Sequence, residues 1–314
     1  MKVAFLFPGQ GAQAVGMGKA LVEHVAEARA VYDAADRALG EKFSTTILEG
    51  PDDALKRTMN TQPAILTTSI AALMALRARG VRAPDVVAGH SLGEYSALVC
   101  AGALSFDDAV RAVRARGTFM QEAVPEGQGA MAAVLGLDEK DIAAALAPLA
   151  DKGSASYCAV ANLNGPGQTV IAGTKAGVDA AQGLLKEKGA KRVMPLPVSA
   201  PFHCALMSPV EPRLKGVLDG IAVSPLTVPV VANVTAAPYA DSSKTKALLI
   251  EQVTSPVRFT EMATRMLDDG VTHFVEVGPG KTLIGIVKRM DKERVYLNVE
   301  DPASLDATVA ALHT

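Results

Sequence analysis

The amino-acid sequence predicts an α/β protein with a mainly parallel sheet and a smaller, inserted domain. Short apolar runs, typical of buried strands, alternate along the chain with longer helix-prone segments, as they do around a parallel sheet. The middle of the chain departs from this alternation, and its segments follow the β-α-β-β-α-β order of a ferredoxin-like unit. With 314 residues, the chain is long enough for a large and a small domain.

The elements of the larger unit follow from apolar runs and from helix periodicity. Apolar runs predict strands at residues 3–7, 86–88, 228–233 and 274–277. Helices are predicted at residues 18–39, 62–79, 94–101, 106–123 and 257–268. The last of these places Met262, Met266 and Leu267 on one face, which is the spacing of a helix packed against a core.

The middle segments define the smaller unit. They are predicted as strand 131–135, helix 138–149, strands 157–162 and 169–173, helix 174–188 and strand 193–197. We assign residues 126–197 to a small ferredoxin-like domain and residues 1–125 and 198–314 to the large catalytic one. A cleft between two such units is the natural place for a substrate.

Composition excludes several classes of function. Hydrophobic residues make up 49% of the chain and charged residues 20%, so a substantial core is expected and wholesale disorder is not. With 31 basic and 33 acidic residues and no basic stripe or polybasic tail, we expect no nucleic-acid or membrane partner. The three cysteines have no paired spacing, so neither a disulfide framework nor a metal site is expected. The first apolar run meets Pro8 too soon for a signal segment, which indicates a cytoplasmic protein.

The pentapeptide Gly89-His90-Ser91-Leu92-Gly93 is the strongest single motif. A short apolar run precedes it and a helix-prone stretch follows it. A strand that turns into a helix through glycines is the context of a nucleophile elbow, in which the central serine is exposed at a sharp bend. An ordinary strand-turn-helix connection is the alternative, but this context favours Ser91 as a nucleophile.

A serine nucleophile needs a base, and the chain offers five histidines. His24 lies among charges of a surface helix, and His313 lies at the C-terminus. His90 is next to the serine on a sharp turn and is interpreted as structural, whereas His273 enters an apolar strand. His203 follows a predicted strand in a polar loop, the position of catalytic residues in α/β folds, and is the favoured base.

The residues alone leave two questions unanswered: what orients the imidazole of His203, and what the glycine-rich loop binds. No acidic residue is close to His203 in sequence, so an acid from elsewhere or a backbone carbonyl could orient the imidazole. The glycine-rich loop at residues 7–13 could present backbone N–H groups to a ligand. With the N–H group of Leu92, that of Gln10 could form an oxyanion hole, although a phosphate site or a plain turn would show a similar sequence.

These features together resemble the malonyl-CoA:acyl-carrier-protein transacylase family and the related acyltransferase domains of fatty-acid and polyketide synthases. The resemblance depends on four motifs in the right order across nearly the whole chain. They are FPGQGAQ at residues 7–13, GHSLGE at 89–94, PFH at 201–203 and EVGPG at 276–280. The resemblance implies an α/β-hydrolase-like large subdomain with an inserted ferredoxin-like small one.

The resemblance also implies roles for individual residues. Ser91 matches the nucleophile of the family and His203 its base. Gln10 and Leu92 match the donors of the oxyanion hole. Gln252 matches a residue whose main-chain carbonyl orients the histidine, which would account for the missing acid.

Recognition of the acyl group is implied in the same way. Arg116 matches the arginine that pairs with the malonyl carboxylate, whereas sequence alone left Arg111, Arg114 and Arg116 as equal candidates. Phe202 resembles the residue of malonyl-selective members, because a bulky ring leaves no room for an α-methyl branch. Ala12 and Cys204 depart from the family by standing where serine is common.

The implied activity is ping-pong transfer of a malonyl group from malonyl-CoA to the phosphopantetheine thiol of acyl carrier protein, through a malonyl-serine ester. Coenzyme A enters as part of a substrate, and no cofactor is expected. We expect a monomer. The alternatives are a stand-alone acyltransferase of a polyketide synthase, a serine esterase or thioesterase, and a scaffold without catalytic activity. Retention of Ser91, His203 and Arg116 together disfavours the scaffold.

Overall fold

The computed structural model describes residues 1–198 and 200–313 and shows an α/β protein with two sheets. The larger sheet has six strands in the order β10-β9-β1-β2-β7-β8. All neighbouring pairs in it are parallel except β7 with β8, so the sheet is mixed. Its strands are β1 Val3–Phe7, β2 Val86–Gly89, β7 Val230–Val231, β8 Pro238–Tyr239, β9 His273–Val277 and β10 Val295–Val299.

The smaller sheet is antiparallel and has the order β4-β5-β3-β6. Its strands are β3 Gly129–Leu135, β4 Cys158–Gly165, β5 Gln168–Thr174 and β6 Arg192–Pro195. An apolar cluster that includes Val134, Ile142 and Leu185 joins this sheet to two helices. The order of elements in this region is β-α-β-β-α-β, as expected from the sequence.

Fourteen α-helices accompany the sheets in the described part of the chain. In chain order they are α1 Lys19–His24, α2 Ala26–Leu39, α3 Phe43–Leu48, α4 Asp52–Lys56, α5 Thr58–Ala78, α6 Gly93–Cys100, α7 Phe106–Glu122, α8 Glu139–Leu146, α9 Lys175–Glu187, α10 Val210–Asp219, α11 Thr245–Glu251, α12 Phe259–Asp268, α13 Thr282–Met290 and α14 Pro302–Leu312. Among the residues described, no helix is both long and apolar enough to cross a membrane.

Strand β1 lies in the middle of the larger sheet and is buried on both faces. Val3, Phe5 and Phe7 join one apolar cluster, while Ala4 and Leu6 join the cluster on the opposite side. A strand covered on both faces must be apolar at every position. This is why the residues of β1 form a continuous apolar run and do not alternate between apolar and polar. The polar loop that follows β1 therefore starts at a fixed point beside the end of β2.

Helix α7 is held unusually close to helix α5 at Gly117. A Cβ atom at this position would lie 2.6 Å from the carbonyl oxygen of Thr58 and 2.9 Å from the Cα atom of Met59. Only glycine allows two helix backbones to come this near without displacement. Arg116, the residue before Gly117, lies on the same buried face of α7 as Val113 and Met120.

The predicted strand at residues 228–233 is reduced to β7, which has two residues. Pro229 lacks the N–H group that a central strand needs, and only Val230 and Val231 pair with β8. The residues that follow β7 leave the sheet, and Asn233 enters the site described below.

The predicted helix at residues 18–39 is two helices, because Val25 adopts an extended conformation with φ −127° and interrupts it. The predicted helix at 62–79 starts earlier, at Thr58, with Pro63 inside it. The helix predicted to reach residue 149 ends at Leu146 and is followed by a 3₁₀ turn that contains Pro148.

Candidate active site

Ser91 lies at a sharp turn between β2 and α6. Its φ of +52° is in the left-handed region, which a non-glycine residue adopts rarely. Cβ atoms at Gly89 and Gly93 would lie 2.0 Å from the Gly93 carbonyl and 2.2 Å from the Phe7 carbonyl, so both glycines are required sterically. The Ser91 N–H group donates to Asn233 Oδ1 at 2.7 Å, and this bond stabilises the strained turn.

Ser91 and His203 are brought together, although 112 positions separate them in sequence. Ser91 Oγ lies 2.7 Å from His203 Nε2, and His203 Nδ1 lies 3.0 Å from the main-chain oxygen of Gln252. Because a carbonyl oxygen can only accept, Nδ1 carries the proton and Nε2 is free to accept one from the serine. Burial and the charge of Arg116 lower the pKa of His203 to about 3, so the imidazole is neutral near pH 7.

Arg116 is the largest fully buried side chain of the described residues and is 1% exposed. Its Nη1 donates to Gln62 Oε1 at 2.7 Å, and its Nη2 donates to Gln252 Oε1 at 2.8 Å and to Ser91 Oγ at 3.1 Å. Burial lowers the pKa of Arg116, but a guanidinium stays charged in proteins. A cation is thus fixed within hydrogen-bond distance of the serine hydroxyl.

The other two candidate arginines lie on the same helix but outside the site. Arg111 is exposed and pairs with Asp108 at 3.0 Å. Arg114 donates to Asn60 at 2.5 Å and pairs with Glu41 on the surface. The structure therefore separates three arginines that the sequence could not rank.

Glu94 is a buried carboxyl group directly behind the serine turn, with no exposed surface. Its Oε2 accepts from the Asn233 N–H group at 3.1 Å and from Gln252 Nε2 at 2.7 Å. Its Oε1 has no hydrogen-bond partner among the residues described. Burial raises the pKa of Glu94 to about 7, against the lowering effect of these two donors.

Gln10 and Leu92 line the same cavity as Ser91, and the backbone N–H group of each is a candidate donor. Within the described part of the chain, neither group has a hydrogen-bond partner. The side chain of Gln10 is engaged elsewhere, since its Nε2 donates to Thr58 Oγ1 at 3.3 Å. Unpaired N–H groups on residues that line the cavity are available as donors to a negatively charged oxygen bound there.

The cavity at Ser91 has a volume of about 160 Å³ and lies between the two sheets. Phe202 lines it next to His203, and β4 of the smaller sheet contributes Asn162 and Asn164. A second hollow of about 170 Å³ adjoins the first and shares Gln10 and Asn164 with it. Among the described residues, no cluster of histidine, cysteine or acidic side chains could hold a metal ion.

The other histidines lie away from the serine hydroxyl. His90 points toward the smaller sheet, where its Nε2 lies 2.8 Å from Asn164 Oδ1. His24 Nδ1 lies 2.8 Å from the Ala20 carbonyl on the surface, and His273 Nδ1 lies 2.9 Å from Thr272 Oγ1. His313 is exposed.

Three residues of the site were missed by sequence reasoning. Asn233 ends an apolar run, and a polar residue at that position of an α/β fold is a usable signal. Glu94 stands in the motif after the serine, but nothing in its position indicated burial. Gln62 follows Asn60 and Thr61 near the start of α5, where one more polar residue gave no signal.

The chain is similar to known acyltransferases over almost its whole length. Residues 4–311 match the family described as the acyl transferase domain. The malonyl CoA-acyl carrier protein transacylase of Bacillus subtilis is 50% identical over 99% of this chain and 97% of its own. The acyl-carrier-protein S-malonyltransferase of Burkholderia pseudomallei has a solved structure with a TM-score of 0.94 and 47% identity, covering 99% of this chain and 100% of that one.

A solved complex is also similar. It contains a type II polyketide synthase acyl-carrier protein with its malonyl-transacylase. The transacylase matches with a TM-score of 0.95 and 40% identity, over 99% of this chain and 100% of that one.

Proposed function

Because the chain belongs to the acyl transferase family and to its malonyl CoA-acyl carrier protein transacylases, we infer that it transfers malonyl groups from coenzyme A to acyl carrier protein. The protein is an acyltransferase whose product feeds fatty-acid synthesis. Malonyl-CoA and acyl carrier protein are its two substrates. The further assignments below concern the residues that carry out this transfer.

The observation that carries the residue assignment is the position of Arg116. Its Nη2 lies 3.1 Å from Ser91 Oγ, in the interior of the protein. A buried cation beside a nucleophile suits an acyl group that carries its own carboxylate, because pairing offsets the free energy of desolvating both charges. A serine esterase for neutral acyl groups would gain nothing from it.

In the first half-reaction, Ser91 Oγ attacks the thioester carbon while its proton passes to His203 Nε2. The carbonyl oxygen becomes an oxyanion that accepts hydrogen bonds from the N–H groups of Gln10 and Leu92. The carbon–sulfur bond then breaks, and the coenzyme A thiolate takes the proton from the imidazolium. The malonyl-serine ester and free coenzyme A remain.

In the second half-reaction, the phosphopantetheine thiol of acyl carrier protein gives its proton to His203 and attacks the ester carbon. The intermediate collapses, the Ser91 oxygen recovers the proton, and malonyl-carrier protein leaves. The main-chain carbonyl of Gln252 accepts from His203 Nδ1 throughout and holds one tautomer. Phe202 lines the cavity at the acyl group and would exclude an α-methyl branch.

The malonyl carboxylate also affects the base. In the free protein the charge of Arg116 opposes formation of the His203 imidazolium and contributes to its low pKa. A carboxylate paired with Arg116 cancels part of that opposing field, so the substrate makes His203 more basic when it binds. An acetyl group lacks this effect.

The finer architecture is also proposed. We assign residues 1–125 and 198–314 to an α/β-hydrolase-like large subdomain and residues 126–197 to a ferredoxin-like small one. The β3-α8-β4-β5-α9-β6 order and the antiparallel pairing support the second assignment. The parallel pairs around β1 and the turn after β2 support the first.

Intact-mass spectrometry after mixing with malonyl-CoA alone tests the nucleophile. One malonyl group should be added to the wild-type protein and to Cys204→Ala, because the ester forms before any carrier protein is needed. Ser91→Ala should remain unmodified. An adduct that persists on Ser91→Ala would refute the assignment.

A carrier protein of polyketide synthesis is the second candidate acceptor, favoured by the similar complex with such a carrier. Steady-state kcat/KM with one fatty-acid carrier protein and one type II polyketide carrier protein separates the two. We expect the fatty-acid carrier to be preferred. A higher kcat/KM for the polyketide carrier would select the alternative.

A further inference from the structure

Glu94 is a buried carboxyl group to which the steps above give no task. It lies in the first turn of α6 with no exposed surface. A carboxyl group in such a place costs free energy unless its hydrogen bonds are used. Two donors meet at its Oε2, the Asn233 N–H group and Gln252 Nε2.

The carboxamide of Gln252 can adopt two orientations that differ by a half-turn and exchange its oxygen with its nitrogen. Its Nε2 faces two acceptors, Glu94 Oε2 at 2.7 Å and the Ser91 main-chain oxygen at 3.1 Å. The reverse orientation would place an oxygen against these two oxygens. The Glu94 carboxyl group, at the shorter distance, and the Ser91 carbonyl together select the orientation in which Oε1 points away from them.

The selected orientation is the one that holds the arginine. Gln252 Oε1 accepts from Arg116 Nη2 at 2.8 Å, and the same Nη2 donates to Ser91 Oγ at 3.1 Å. In the reverse orientation, an amide nitrogen would face the guanidinium, and two donors would oppose each other. The direction of one amide thus decides whether Arg116 has an acceptor beside the serine.

We propose that Glu94 is a positioning residue for malonyl recognition, which fixes the Gln252 carboxamide and through it holds Arg116 beside Ser91. The proposal rests on the proposed function, because it takes Arg116 as the partner of the malonyl carboxylate. Glu94 touches neither the acyl group nor the reacting atoms. Its effect reaches Arg116 through two hydrogen bonds, one at each end of the Gln252 carboxamide.

The role requires an acceptor at the Oε2 position and no negative charge. A protonated carboxyl group or an amide oxygen can accept there as well as a carboxylate can. Glu94→Gln therefore keeps an acceptor oxygen at this position. Glu94→Met keeps the length of the side chain but has no acceptor oxygen. Comparing the two variants distinguishes the effect of the hydrogen-bond acceptor from the effect of the negative charge.

The experiment measures kcat/KM for malonyl-CoA and acetyl-CoA in both variants, with thermal unfolding to verify the fold. Glu94→Met should lose about 10- to 100-fold with malonyl-CoA, the size of coupling within one hydrogen-bond network, and far less with acetyl-CoA. Glu94→Gln should stay within about threefold of wild type. Equal losses for both acyl groups, or equal losses in the two variants, would overturn the proposal.

A double-mutant cycle with Gln252→Met tests the path through the carboxamide. This second variant removes the amide but keeps the main-chain carbonyl that His203 uses. Glu94→Met should add little to the malonyl loss of Gln252→Met, because both act on one contact. Additive losses would overturn the proposal.

If Glu94→Met does not fold, Gln252→Met replaces it as the test. The Gln252→Met variant should then show the malonyl-selective loss of kcat/KM by itself. An equal loss for acetyl-CoA would again overturn the proposal. Failure of the underlying function is recognised separately. In that case wild-type protein would form no malonyl adduct on Ser91 at all.

Discussion

The two walls of the active-site cavity differ in chemistry. The wall built on the larger sheet carries every ionisable side chain that lines the cavity in the described residues: His90, Arg116 and His203. The wall built on the smaller sheet and on Leu196, which directly follows β6, contributes only amide and apolar side chains: Met131, Asn162, Asn164, Val170 and Leu196. The difference indicates that one region performs the transfer while the other shapes access to it.

His203→Ala should give the largest effect of the variants that test this division, because one base serves both half-reactions. We expect acylation and deacylation to slow by about 10²–10⁴-fold, the usual size of general-base catalysis. Rapid-quench measurement of each half-reaction checks this. His273→Ala is the matched control, and a comparable loss there in a folded protein would contradict the assignment.

Arg116→Ala should remove malonyl transfer while leaving acetyl transfer steady or raised. An unpaired buried carboxylate costs about 2–5 kcal/mol, so kcat/KM for malonyl-CoA should fall ~10²-fold or more. Arg111→Ala, on the exposed face of the same helix, is the control and should change neither substrate. Equal losses for both acyl groups at Arg116 would show that the arginine is only structural.

Changes in the opposite wall should be smaller and should not distinguish the acyl groups. Leu196→Ala removes part of an uncharged lining, so KM should rise ~3- to 10-fold for malonyl-CoA and acetyl-CoA alike, with kcat unchanged. Steady-state kinetics with both substrates measure this. A loss of kcat/KM in Leu196→Ala that is selective for malonyl-CoA would contradict the proposed difference between the two walls.

The pH profile should show the smallest change. Burial and the neighbouring charges of Arg116 and His90 lower the pKa of His203 from 6.5 to about 3, so the base stays neutral as the pH falls through 6.5. The free-enzyme profile of kcat/KM should therefore show no acid limb near pH 6.5. Titration of Glu94, whose pKa is about 7, should leave the profile flat as well, because the protonated carboxyl group still accepts from Gln252. An acid limb near pH 6.5 that Glu94→Gln retains would contradict the prediction for His203.

The pairing of Ser91 with His203 could be predicted from the residues because each has a strong local context. Ser91 stands between a strand and a helix, and His203 was the one histidine left in a polar loop after a strand. The structure places their reactive atoms 2.7 Å apart. Gln252 could not be found this way, because its main-chain carbonyl acts on the histidine and any residue type has one.

Arg116 was not ranked above Arg111 and Arg114 from the sequence. It shares the buried face of α7 with Val113 and Met120, which helical spacing could have shown, but only the structure shows that its guanidinium is enclosed. Prediction of the strands was limited in a similar way, because it depended on how deeply each strand is buried. Strands β1 and β2 are buried and were predicted, whereas β10 lies at the edge of the sheet, is only partly buried, and was left unassigned.

One attachment between the two sheets has a mechanical consequence. If the part of the chain that carries the smaller sheet were connected only through its two chain ends, it could rotate as a rigid body about those connections. Strand β4 is also joined to the segment before α12, since Leu163 N donates to Val257 O at 2.8 Å and Val257 N donates to Ala161 O at 2.9 Å. This third attachment opposes such a rotation. We therefore expect coenzyme A and the carrier arm to enter and leave the cavity in turn without a large opening of the two sheets.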